Sequence, residues 1–260
     1  MIIPFTQVDA FTTRPHAGNP AAVMTLEAWL PDAVLQAIAA ENNLSETAFT
    51  VPTTGDADYE LRWFTPTTEV ALCGHATLAS GHVLLTGDAI RFRTRKAGVL
   101  TVYRDGDTLA LDLPANPVLP AEHPELLGAL GAREADLFVS QEGAKDVAVI
   151  LLADEAAVRA CTPDMQALAA IEIMAIVTAP GTDTDIASRV FVPAWGVAED
   201  PVTGAAHAAL TPFWCERLGR ERITAFQASA RGGRLGCRIA GDRVVLTGAC
   251  VTVIRGEYLL

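Results

Sequence analysis

The second half of this chain repeats the order of landmarks in the first, and a chain built that way has few folds open to it. Gln36-Ala-Ile-Ala-Ala40 recurs as Gln166-Ala-Leu-Ala-Ala170, an offset of 130. Arg62-x-Phe64-x-Pro66 recurs as Arg189-x-Phe191-x-Pro193, an offset of 127. Glu69, Gly74 and Ala76 answer to Glu199, Gly204 and Ala206, again 130 apart, and Gly98 with Gly106-Asp107 to Gly233 with Gly241-Asp242, 135 apart. Ala-rich helices and Gly-Asp turns are common singly, but four matches in one order with so little drift mark a duplication. Its consequence is an α+β fold of two pseudo-symmetric lobes, each a mixed or antiparallel sheet wrapped around a central, mostly buried helix. The small-residue runs Ala76 to Leu85 and Ala205 to Cys215 fit those central helices. We expect lobes at 1–115 and 116–260, with the proline-rich stretch Pro114 to Pro124 as linker and the C-terminal end free to return to the first lobe. A cleft between such lobes is a natural seat for a small ligand.

Local signals agree with this plan. Ile2 to Phe11 and Ala21 to Leu26 read as strands around a breaker-rich loop, Arg14 to Pro20, and Pro31 to Asn43 reads as a helix with Leu35, Ile38 and Ala39 on one stripe. Strands follow at Glu46 to Val51 and Tyr59 to Thr65, and then, after a helix opened by Gly74, at Ile90 to Thr94, Gly98 to Arg104 and Thr108 to Leu113.

With 260 residues, half of them apolar and 19% charged, the chain can bury a substantial core. A formal charge of -12 argues against nucleic acid or an anionic membrane surface as the main partner. The first residues lack the pattern of a signal peptide and no run approaches the roughly 18 apolar residues of a membrane span, so the expected location is cytoplasmic. Five cysteines without a Cys-x-x-Cys pair, and five dispersed histidines, give no disulfide framework and no metal-ligand spacing; no metal site is expected.

In a duplicated chain the informative residues are those that fail to repeat. At the 130 offset His75 lies opposite Ala205, Cys73 opposite Thr203, Val70 opposite Asp200 and Glu46 opposite Ile176. The Gly-opened helices do repeat, and their first-turn N–H groups have no partners inside the helix, which suits them to a carboxylate or a developing enolate. Asp200 sits in Glu199-Asp-Pro-Val-Thr-Gly204, where an acid before a helix start serves as a cap as readily as a site. Glu46 has two readings, an exposed acid at a strand end or a proton carrier in an apolar cleft. His75, first after Gly74, either packs against the helix start or acts there.

The chain resembles the phenazine biosynthesis PhzF-like isomerases, which share the diaminopimelate epimerase fold. The resemblance rests on Gln7-Val-Asp-Ala-Phe11, Gly18-Asn-Pro-Ala-Ala22, Glu41-Asn-Asn-Leu-Ser-Glu-Thr-Ala-Phe49, Arg62-Trp-Phe-Thr-Pro66, Leu72-Cys-Gly-His-Ala-Thr-Leu-Ala79 and Glu199-Asp-Pro-Val-Thr-Gly204, in order along nearly the whole chain. It implies a cofactor-free homodimer acting on a small carboxylate-bearing metabolite, with Glu46 removing and returning a proton. It further implies that His75 and Asp200 hold the substrate, with Asn19 and the helix starts at Gly74, Ala76, Gly204 and Ala205 around it. One departure stands out: the family usually has Ser after the second Gly, where this chain has Ala205. A lost hydrogen bond to a charged ligand is worth about 1.5 to 3 kcal/mol, enough to change substrate preference without abolishing acid/base chemistry. Two other functions fit the same fold: an epimerase with two opposed thiols, for which Cys73 would be one, and a binding protein that keeps the cleft without turnover.

Overall fold

In the computed structural model, which describes residues 1–140 and 146–260, the repeat is present as one scheme of strand pairing met twice. The chain divides into two units, Met1–Leu113 with Thr247–Leu260, and Pro114–Leu246. The first unit contains β1 (Ile2–Ala10), β2 (Asn19–Thr25), α1 (Asp32–Asn42), β3 (Glu46–Pro52), β4 (Tyr59–Phe64), β5 (Glu69–Val70), α2 (Gly74–Leu84), β6 (Ala89–Thr94), β7 (Val99–Asp105) and β8 (Thr108–Pro114). The second contains β9 (Val118–Pro120), α3 (Pro124–Ala129), β10 (Asp136–Ser140), β11 (Val147–Leu151), α4 (Glu155–Ala160), α5 (Met165–Ala169), β12 (Met174–Pro180), β13 (Ile186–Val192), β14 (Val197–Asp200), α6 (Gly204–Leu218), β15 (Arg222–Gln227) and β16 (Gly233–Ala240). β17 (Arg243–Gly248) spans the boundary, and β18 (Cys250–Leu259) belongs to the first unit, where it lies antiparallel to β1.

In the first unit β2 runs parallel to β3, β3 antiparallel to β4, β4 antiparallel to β5 and parallel to β6, and β6 antiparallel to β7. In the second, β11 to β12, β12 to β13, β13 to β14, β13 to β15 and β15 to β16 follow the same sequence of directions. The repeated residues brace equivalent places. Arg62 grips Glu69 through Nε and Nη2 at 2.7 and 2.8 Å and stacks its guanidinium 4.9 Å from the Phe64 ring. Arg189 grips Glu199 in the same way at 2.7 and 2.9 Å and lies 4.9 Å from Phe191. Each fork ties the strand before a central helix to the short strand that leads into it.

The stretch expected as a linker carries β9, which pairs with β10. Proline cannot donate to a ladder but is accommodated in a short edge strand such as this. The second unit therefore starts at Pro114 and ends at Leu246, short of the C-terminus.

Helix α2 is buried along its first eight residues, Gly74 to Gly81, and packs against β1, β2, β3, β7 and β18. Small residues make that possible: a Cβ on Gly81 would stand 2.4 Å from Val102 Cγ1 of β7. Its hydroxyls are satisfied within the helix, Thr77 donating to the Cys73 carbonyl at 2.6 Å and Ser80 to that of Ala76 at 2.8 Å. The opposite face of the sheet carries α1, whose Leu35, Ile38 and Ala39 meet Phe49, Val51 and Phe64. In the second unit α6 packs on β11, β15 and β16 and continues through Pro212. Proline there has no N–H for the Ala208 carbonyl, and that carbonyl accepts instead from the Asn116 N–H at 3.0 Å.

The side chain of Arg62 is 2% exposed and that of Glu69 29%, so removing the acid takes the bidentate partner from a buried guanidinium. Asp32, its other partner, lies 2.9 Å away on the surface. Urea unfolding of Glu69→Ala should show a loss of about 1.5 to 3 kcal/mol, and Asp32→Ala a much smaller one.

Candidate active site

Three segments of the first unit bring their polar side chains to the start of α2. The first is the turn between β1 and β2. Gly18 sits at φ +64°, and a Cβ there would stand 2.1 Å from the Ala10 carbonyl oxygen, so the Gly-Asn-Pro run turns at the one residue that fits. Asp9, 1% exposed, accepts from the His16 N–H at 2.8 Å and holds the loop, which delivers Asn19 beside Ala10 in the β1–β2 ladder. The second is the end of α1. Asn43 takes the left-handed conformation, and Asn42 donates to Thr47 Oγ1 at 3.0 Å, fixing the approach to Glu46. Along β3 Phe49 and Val51 face α1, so Glu46 lies on the other side, with α2. The third is Cys73, extended at the helix N-cap, followed by Gly74 and His75.

These segments meet at His75, which is 3% exposed. Its Nε2 lies 3.0 Å from Glu46 Oε2, close enough for an ion contact though without the alignment of a hydrogen bond. Nδ1 lies 3.0 Å from Asn19 Nδ2 and 3.5 Å from Cys73 Sγ. With the amide donating to Nδ1, the ring proton is on Nε2 and faces Glu46; a ring charged on both nitrogens is met by the same amide turned over, its oxygen accepting. Burial opposes charge on His75, but the neighbouring Cys73 and Glu46 outweigh it and hold the ring well above the usual histidine range. Burial, with the Glu46 charge beside it, pushes the Cys73 thiol up to about 11. Glu46 Oε, Cys73 Sγ and a His75 ring nitrogen all lie within 4.8 Å of one another, a set of donors that could hold a metal ion.

Glu46, His75, Gly74 and Ala76 of the predicted residues are thus together. Glu46 is not the exposed acid of one sequence reading, since its side chain is 15% exposed. Asn19, expected at the substrate, is fully buried with its amide 3.0 Å from His75 Nδ1. Cys73, named in the sequence only as one thiol of the two-thiol alternative, stands beside the ring, and with His75 it becomes a set of donors once β3 brings Glu46 alongside.

Asp200, Gly204 and Ala205 belong to the second unit. Asp200 ends β14 and accepts a hydrogen bond from the Thr203 hydroxyl. Gly204 opens α6, and Ala205 is half-buried in its first turn. Fully buried Gln227 braces this turn: Oε1 accepts from the Thr203 N–H at 2.8 Å, and Nε2 donates to the Asp200 carbonyl at 2.7 Å. Gln227 had no signal in the sequence, being 24 residues from the turn it holds. His207, where the first unit has Thr77, donates from Nδ1 to the Thr203 carbonyl at 2.8 Å, and burial lowers it to about 4.

A family model described as phenazine biosynthesis-like protein (PhzC-PhzF) matches residues 8–256. The chain belongs to this family. Among its relatives an uncharacterized isomerase of Pseudomonas aeruginosa is 49% identical, with both chains covered completely. A PhzF family protein of Enterococcus faecalis superimposes with a TM-score of 0.90 at 42% identity over the whole of both chains. A hydroxyproline epimerase of Agrobacterium vitis, 13% identical, shares the fold with a TM-score of 0.61 over 98% of this chain and 92% of its own. The fold is the α+β diaminopimelate epimerase fold, and the protein is an isomerase. No helix among the described residues is long and apolar enough to cross a membrane.

The two buried histidines should titrate in opposite directions from 6.5, His75 keeping its proton well above that value and His207 losing its proton until about pH 4, as ring NMR signals would record. Their linkage to stability differs in sign. The His75 contribution is full below pH 6.5 and is lost as pH rises through its folded value, whereas neutral His207 favours the fold above 6.5. Stability should therefore fall as pH drops from 6.5 toward about 4, by roughly 3 kcal/mol, and His207→Thr should flatten that limb in urea titrations.

Proposed function

We propose that the protein isomerises a small carboxylate-bearing metabolite by moving a proton, without a cofactor, with Glu46 as the group that removes and returns it. The observation that carries this reading is the buried pair of Glu46 and His75 at the start of α2, 3.0 Å apart. His75 Nε2 holds the Glu46 carboxylate in place at the helix start, where it can take a proton from a bound substrate. When Glu46 takes a proton from carbon, charge passes to the substrate, and the first-turn N–H groups of Gly74, His75 and Ala76 lie where an enolate or carboxylate is best stabilised. Asn19 acts as a positioning residue, because it sets which ring nitrogen faces Glu46.

Asp200, Gly204 and Ala205 are carried as substrate-binding groups on the strength of the repeat and the family pattern. Asp200 is already oriented by Thr203, and the amide of Ala205 remains available whatever its side chain. A homodimer is part of the same reading. The two-thiol alternative finds no support, since a thiol pushed up to about 11 is a poor base at neutral pH and a hydroxyl residue, Thr203, stands at the repeat position of Cys73.

Incubation in deuterated water with cyclic and amino carboxylates, followed by NMR, tests the assignment. Wild type should exchange deuterium into one of them, Cys73→Ala should retain exchange, and Glu46→Gln should lose at least about 100-fold. Full exchange in Glu46→Gln would end the assignment, and tight binding without exchange in the wild type would make this a binding protein.

A further inference from the structure

We propose that Glu46, Cys73 and His75 form a binding site for a soft divalent cation such as zinc, and that the bound ion holds the isomerase off. The isomerase reading gives Cys73 no task, yet its sulfur lies 3.5 Å from Nδ1 and 4.0 Å from Nε2 of His75. Around a tetrahedral zinc ion the ordinary bond lengths put sulfur about 3.6 Å from nitrogen and nitrogen about 3.4 Å from oxygen. Here Sγ to Nε2 is 4.0 Å and Nε2 to Glu46 Oε2 is 3.0 Å, each about half an ångström from those values. All three donor atoms already lie within 4.8 Å of one another.

Two further features favour an ion. Glu46 Oε2 is buried and makes no hydrogen bond among the described residues, and its 3.0 Å contact is with Nε2, the ring nitrogen that would share the ion. Asn19 lies 3.0 Å from the far ring nitrogen, and with its amide turned over the oxygen accepts from Nδ1–H and leaves Nε2 free to ligate, the orientation an outer partner ordinarily gives a metal-bound histidine. Sulfur, imidazole and one carboxylate select zinc or cobalt over magnesium or calcium, which require oxygen donors. Three protein donors leave a fourth position for water or the substrate carboxylate. Ion binding stands on this geometry alone, whereas inhibition rests on Glu46 being the proton carrier, since a carboxylate on the metal cannot take up a proton.

Cobalt(II), a coloured substitute for zinc, tests the site on the intact protein. Titration should give tetrahedral visible bands and a thiolate-to-cobalt charge-transfer band, both saturating at one equivalent and both displaced by zinc. Cys73→Ser should lose the charge-transfer band with its circular dichroism unchanged, and Glu46→Gln should keep the band but bind at least tenfold more weakly. Absence of a saturating charge-transfer band in the wild type, or its persistence in Cys73→Ser, overturns the proposal. Zinc should also stop deuterium exchange and a chelator restore it; exchange unaffected at saturating zinc overturns the inhibitory role. Cobalt binding in a protein that exchanges no substrate would instead end the isomerase mechanism and leave the ion site standing.

Discussion

The bidentate grip of Arg62 on Glu69 fixes the turn on which everything at the start of α2 depends. It spans the strand before the turn and the two residues that open it, four residues ahead of Cys73. Two parallel N–H···O contacts set an angle as well as a distance, and the stacked Phe64 ring leaves the guanidinium little freedom. With the turn held, the helix begins where its sheet requires, and small residues let it lie against β7. A buried helix start has unpaired N–H groups that tolerate few neighbours other than an anion or water. The architecture therefore creates a place for negative charge before any catalytic residue is added.

The same brace exists in the second unit, so it cannot account for the difference between them. That difference lies in the residues just past the turn. The first unit places Cys73 and His75 there and supplies Glu46 and Asn19 from neighbouring strands; the second has Thr203 and Ala205 and braces itself with Gln227. Duplication thus leaves one copy with a coupled set of titrating groups and the other with an internal hydrogen-bond network. The two buried histidines express this division. His75, beside a thiol and a carboxylate, is raised well above the usual histidine range, and His207, buried beside a backbone carbonyl, is lowered to about 4.

The repeat made the plan of the fold legible, because matching residues such as Arg62 and Arg189 perform the same mechanical task and are retained together. Glu46 and His75 were legible as asymmetries, and the helix start as a site for an anion. The exposure of Glu46 was not, since β3 alternates and spacing alone does not say which face meets a second helix. Asn19 was marked by its motif, but its task could not be, because whether it touches a ligand or a ring depends on the Gly18 turn. Gln227 and the Asn116 amide that serves the Ala208 carbonyl were beyond reach for a simpler reason: both act across long sequence separations on groups whose need arises only in the folded chain. The strand inside the proline-rich stretch was beyond reach, because an edge strand of three residues carries almost no pattern, although the boundary between the units does fall where that stretch begins.

Cys73 shows how one constraint serves two ends. An extended residue must precede Gly74 for the chain to enter α2, and its carbonyl must accept from Thr77. A small, apolar side chain suits that buried place, and cysteine satisfies it as well as alanine would. The turn that meets this need also sets the sulfur beside His75, at the distance where imidazole, carboxylate and thiol can share one ion. Packing alone would accept many residues at position 73, but only a thiol makes the cluster soft enough to choose among cations. The structural requirement and the chemical selectivity therefore fall on different atoms of the same residue, the backbone carbonyl for the first and the sulfur for the second, and each can be altered while the other is kept.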